Sequence, residues 1–109
     1  MLDTTPLITA VDRFADRLRS TPQSRLQRGV AAEALETARE LSARAQRAEA
    51  PDQEPRTMPD AGIFAVGDQL AVAGRDLAVA LETASSRELD EAVRRVEEAA
   101  ARTFAPGPR

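Results

Sequence analysis

The chain contains no cysteine, histidine, tryptophan or tyrosine. Lysine and asparagine are missing too, so all fifteen positive side chains are arginine. Each absence removes a class of chemistry. Without cysteine there is no disulfide framework, thiolate ligand or thiol nucleophile, and the redox compartment leaves no trace. Without histidine the usual acid/base group near neutral pH is gone. Serine and threonine nucleophiles would lack both a histidine and a lysine base. A di-iron bundle site, which needs a Glu-x-x-His motif on two helices, is excluded. No glycine-rich phosphate loop occurs. These exclusions predict a non-enzymatic protein with no cofactor and no metal. Arginine as the sole cation fits codon bias in a GC-rich bacterial genome.

Positive charge is not in excess either. Fifteen arginines against eighteen acids give a net charge of −3, which argues against general binding to a nucleic-acid backbone. The opening MLDTTPLITAVDRF has an early aspartate and no basic region before an apolar block, so no signal peptide is expected. Residues 61–81 are the most apolar stretch, but they include Asp68, Arg75 and Asp76. Each of these would cost roughly 2.5–3.5 kcal/mol at a bilayer centre. A membrane span is therefore not expected, and the cytoplasm is the expected location.

Strand signals are nearly absent, and alanine is the commonest residue. The 109 residues read as one helical domain over 1–105 and a frayed tail over 106–109. Thr5-Pro6 and Thr21-Pro22 mark two helix starts, predicting helices over about 6–19 and 22–49. Gly29 suggests a kink or break in the second. Its stripe is small: Val30, Ala31, Ala34, Leu35, Ala38, Leu41, Ala45 and Ala48. The segment 51–59, with three prolines and no apolar period, reads as an exposed, mobile linker. A third helix is predicted over 60–84. A fourth, over 86–104, opens with Ser85 and Glu88 in capping-box spacing. The pattern predicts an all-α four-helix bundle or a related antiparallel array, its second and third helices longest and closely packed.

Residues 67–80, GDQLAVAGRDLAVA, write one seven-residue unit twice. At about 100° per residue, the period keeps Gly67 and Gly74 on one side of the third helix. A helix-interior glycine costs up to about 1 kcal/mol relative to alanine, so two in register suggest a closely approaching neighbour. The expected neighbour is the alanine stripe of the second helix, at Ala34, Ala38 and Ala45. On the other side, Val72 and Val79 fall between the polar rows Asp68, Arg75, Glu82 and Gln69, Asp76, Thr83. Phe64, Ala71 and Ala78 add a further apolar row. A helix apolar nearly all round is buried on several sides, either within its own bundle or against a second chain. The expected interface is Phe64, Val72 and Val79, with Asp68, Arg75, Asp76 and Glu82 around it as register-fixing charges.

The remaining ionisable groups read as solvated surface. Glu40–Arg44, Glu91–Arg95 and Glu98–Arg102 have the four-residue spacing of helix-surface pairs. Residues 1–29 hold Arg13, Arg17, Arg19, Arg25 and Arg28 against three aspartates, a local charge of +2. Three functions follow. The first is an interaction module that pairs as a homodimer, with a further protein partner possible. The second is a small regulatory protein presenting the Arg13-to-Arg28 cluster to nucleic acid or an acidic partner. The third is a bundle holding an apolar ligand.

Overall fold

The structure, a computed structural model, describes residues 1–106. The expected frayed tail lies, from residue 107 on, outside the described residues. Helix α1 spans Thr5–Arg19, and α2 is a short turn at Gln23–Arg25. It runs through a wide turn at Leu26–Val30 into α3, Ala31–Glu49. Helix α4 spans Val66–Ala80 and tightens into a 3₁₀ turn at Leu81–Thr83, and α5 spans Ser86–Thr103. The chain is an all-α four-helix bundle, with no strand among the described residues.

Local chemistry explains two helix starts and one break. Thr5 is the first residue of α1, and its N–H donates to Asp3 Oδ1 at 3.0 Å. Asp3 thus supplies the capping oxygen, and no threonine side chain does. Ser85 and Glu88 form the reciprocal capping box of α5, at 3.2 and 3.0 Å. The expected break in the second helix falls at Gly29, whose φ of +130° lies where L side chains are strained.

The core takes Leu7, Val11, Phe14 and Leu18 from α1, the small stripe of α3, Leu70, Ala73 and Leu77 from α4, and Leu89, Ala92 and Val96 from α5. Ala48 is exposed, so the α3 stripe ends at Ala45. Helix α4 packs most extensively on α3 and next on α1, and α5 lies on α1 with a lighter contact to α3. The order around the bundle is therefore α3, α4, α1, α5.

Two sequence expectations change here. The third helix begins at Val66 and not at residue 60, because Gly62 takes a φ of +98° and its N–H bonds Asp60 Oδ1. That Asx-type turn interrupts a pattern that otherwise favours helix. The connection from α3 to α4 is correspondingly long. It runs back along α3: Gln46 bonds both the N–H and the carbonyl of Arg56 at 2.8 and 2.9 Å, and Arg39 Nε donates to the Met58 carbonyl. Most of the segment is exposed, but Met58 packs against the core and the backbone is tied to α3. It delivers the start of α4 beside the start of α3, where Ala31 and Leu35 share a small cavity with Gly62 and Val66. Helices α3 and α4 therefore run parallel, and α1 and α5 run together in the opposite direction.

Candidate functional site

Two surface features stand out, on opposite sides of α1. The first is the outer face of α4. Val72 and Val79 are 59% and 61% exposed, two of the few large apolar side chains left in water. Their burial pattern follows from the heptad: Leu70, Leu77, Gly67, Gly74 and Ala73 turn inward, leaving the valines opposite. Asp76 lies on this exposed side and has no ion-pair partner among the described residues.

Two of the four charges expected to surround a partner, Asp68 and Arg75, serve the chain itself. Arg75 grips both carboxylate oxygens of Asp12 on α1, at 2.9 and 3.1 Å. Arg19, at the end of α1, reaches Asp68 at 2.6 Å and Asp16 at 3.0 Å. Donating to the Asp68 carboxylate holds the Arg19 guanidinium above its ordinary value, and donating to Asp12 does the same for Arg75. Asp68 and Arg75 thus fasten α4 to α1 along one edge. Phe64 is 72% exposed, but it sits in the turn before α4 and not on the helical stripe. Ala78 is buried and Ala71 half-buried. Glu82 is half-buried in the 3₁₀ turn, and its carbonyl accepts from the Leu2 N–H at 2.8 Å.

The glycines face a different neighbour from the one expected. A Cβ added to Gly74 would lie 2.5 and 2.7 Å from the Val11 methyls, and one added to Gly67 would lie 3.2 Å from Arg19 Cγ. Both contacts are with α1, so Ala34, Ala38 and Ala45 of α3, all buried, do not receive the glycines. Spacing identified the crowded side of α4 but carried no signal for which helix crowds it.

The second feature is a groove between α1 and α5, about 710 Å³ in volume and open to solvent. Ala10, Phe14, Val93 and Ala100 form its floor, Arg13 and Arg17 stand on the α1 side, and Glu97 stands on α5. Small side chains on both helices leave the trough. Arg17 lies over the Phe104 ring at 4.1 Å from its centroid, and Phe104 packs edge-on against Phe14 at 5.8 Å. Nothing in either helix alone signals this groove, since it exists only where two alanine-bearing edges meet.

The basic cluster does not assemble as one site. Arg13 and Arg17 face the groove, Arg19 turns to α4, and Arg25 and Arg28 line a separate hollow with Arg102 of α5. Arg102, which spacing assigns to Glu98, joins Arg25 and Arg28 from a distant part of the chain. Its place in the last turn of α5 suits the helix dipole. Surface pairing also differs from the spacing. Glu91–Arg95 forms, but Glu40 pairs with Arg95 across helices at 3.1 Å instead of with Arg44. Glu98 pairs with Arg94 instead of with Arg102.

No group of three or more metal-ligating side chains converges among the described residues. No helix among them is long and apolar enough to cross a membrane. Comparison with models of known families, with curated proteins and with solved structures finds no match.

Proposed function

We propose that the protein is a non-enzymatic helical interaction module of the bacterial cytoplasm that pairs with a second copy through the outer face of α4. The observation that carries this reading is the pair Val72 and Val79, each more than half exposed and one heptad apart, with Asp76 between them and without an ion-pair partner among the described residues. In a twofold contact the same patch meets itself. If two α4 helices cross antiparallel about a point between residues 75 and 76, Val72 lies against the partner subunit's Val79. Asp76 then lies against the partner subunit's Arg75, whose guanidinium keeps donors beyond those held by its own Asp12. Like charges do not meet. Two valines per chain make a small apolar seam, below the usual size of a permanent interface, so the pairing is weak and concentration-dependent. The lack of histidine, cysteine and lysine supports the non-enzymatic part of the reading.

Sedimentation velocity across a wide concentration range tests it. The wild type is expected to shift from monomer to dimer as concentration rises. Val72→Glu with Val79→Glu should stay monomeric with unchanged helical circular dichroism, because both positions lie outside the core. A wild type that remains monomeric at millimolar concentration overturns the dimer.

A further inference from the structure

We propose that the groove between α1 and α5 is a docking site for an amphipathic α-helix of another protein, one carrying acidic side chains along a flank of its apolar stripe. The chemistry of the groove sets that occupant. Its floor is apolar, the Phe14 ring flanked by the smaller Ala10, Val93 and Ala100, which leave room for bulky apolar side chains. Its α1 lip carries Arg13 and Arg17, four residues apart on one helix face, while Asp3 lies at the other end of that lip, where its carboxylate is already held by the Thr5 N–H. Neither has a carboxylate partner among the described residues. Elsewhere on α1 the arginine chemistry differs: Arg19 is fully engaged with Asp16 and Asp68. Two guanidinium groups without a carboxylate partner among the described residues, beside an apolar trough, ask for carboxylates at the same helical spacing.

Arg17 is already ordered for this task. Its stacking on Phe104, 4.1 Å from the ring centroid, restrains the side chain before binding and lowers the entropy lost in a new ion pair. Glu97 on the opposite lip favours a base on the partner's other flank, which fixes the direction in which the helix lies. Shape decides between a helix and a small anionic amphiphile. The trough is open to solvent, whereas small-molecule sites enclose most of their ligand. Along α1 it extends from Thr5 to Arg17, about 18 Å or three helical turns. A helix covers that length with one face and leaves its polar back in water. No residue of α4 lines the groove, so the site stands or falls apart from the α4 pairing.

The test is selection of phage-displayed random peptides, about four helical turns long, against the intact wild-type protein. The enriched sequences should show apolar residues at helical spacing and Asp or Glu four apart on one flank. Synthetic copies should gain helicity on binding and shift the amide NMR signals of Ala10, Val93 and Ala100. Arg13→Glu with Arg17→Glu should weaken binding by about tenfold or more. Ala101→Trp, which fills the trough and leaves its charges alone, should abolish it. Val72→Glu with Val79→Glu should not affect it. Three results would overturn the proposal: no enriched sequence, enriched sequences without acidic flanks, or affinity indifferent to both groove variants. Decanoate is the probe for the small-amphiphile alternative. Shifts at the same residues with decanoate, in the absence of any selected peptide, would also overturn the helix.

Discussion

Replacing Gly74 by alanine sets two opposing effects against each other, and the structure decides the sign. In a helix interior the change gains roughly 1 kcal/mol of intrinsic propensity. Against it, the new Cβ would sit 2.5 Å from Val11 Cγ1, 2.7 Å from Cγ2 and 2.9 Å from Cβ. Ordinary carbon contacts are about 3.5–4.0 Å, so Val11 or the whole of α1 must retreat by about 1 Å. Val11 cannot swing aside easily. It is β-branched and fully buried in the same core cluster as Leu7, Phe14 and Leu18. Overpacking of this kind costs about 1–3 kcal/mol, leaving a net loss near 1 kcal/mol. Gly67→Ala meets Arg19 Cγ at 3.2 Å, the Ala15 carbonyl at 3.3 Å and Arg19 Nε at 3.5 Å, milder contacts that the same propensity gain brings close to neutral. Urea denaturation followed by far-ultraviolet circular dichroism, at one protein concentration, should rank Gly67→Ala above Gly74→Ala by about 1 kcal/mol, or about 5 °C in Tm. Val11→Ala removes the obstructing methyls. The double variant should then show a favourable coupling of about 1 kcal/mol or more with Gly74→Ala. Refutation would be a Gly74→Ala protein as stable as Gly67→Ala, with an additive cycle.

Gly29→Ala should destabilise by about 1–2 kcal/mol although no atom crowds the position, because the φ of +130° and not space is the obstacle; a denaturation midpoint equal to wild type contradicts this. The Asp3 carboxyl is held below its ordinary value by its hydrogen bonds from Thr5. Its capping contribution is therefore complete above the ordinary aspartate value and is lost as pH falls through the lowered folded one. A carboxyl-carbon NMR titration should place Asp3 below an Asp3-containing unfolded peptide, and coincident curves would deny the cap. Gln46→Ala removes both hydrogen bonds that hold the Arg56 backbone, so tryptic cleavage after Arg56 should accelerate several-fold with little change in global stability.

Much of this architecture is legible in periodicity. The faces of Leu7, Val11, Phe14 and Leu18, and of Leu89, Ala92 and Val96, all bury as spaced, because a helix has only one apolar side to hide. The Ser85–Glu88 box is local and therefore readable. Neighbours are not. Gly67 and Gly74 announce a close contact, but α1 and α3 are both lined with suitable small or branched residues, and spacing along one helix says nothing of which lies alongside. The crossover was underestimated because residues 60–65 look helical by composition, whereas one backbone angle at Gly62 stops the helix. Asp68 and Arg75 read as charges available to a partner because their own partners, Arg19 and Asp12, come from a helix far away in sequence. The α1–α5 groove was invisible for the same reason.

The absence of cysteine makes the pairing of α4 directly measurable. A single Asp76→Cys places one thiol at the centre of the proposed twofold contact, where the two copies would come within reach of a disulfide. Glu36→Cys on α3 and Glu97→Cys on α5 place one thiol on other exposed faces. The three proteins are oxidised side by side at a concentration where the wild type sediments as a dimer, and cross-linking is read on a non-reducing gel. Rapid dimer formation by Asp76→Cys alone is the predicted result; equal cross-linking by all three, or none by Asp76→Cys, would contradict self-pairing through the outer face of α4.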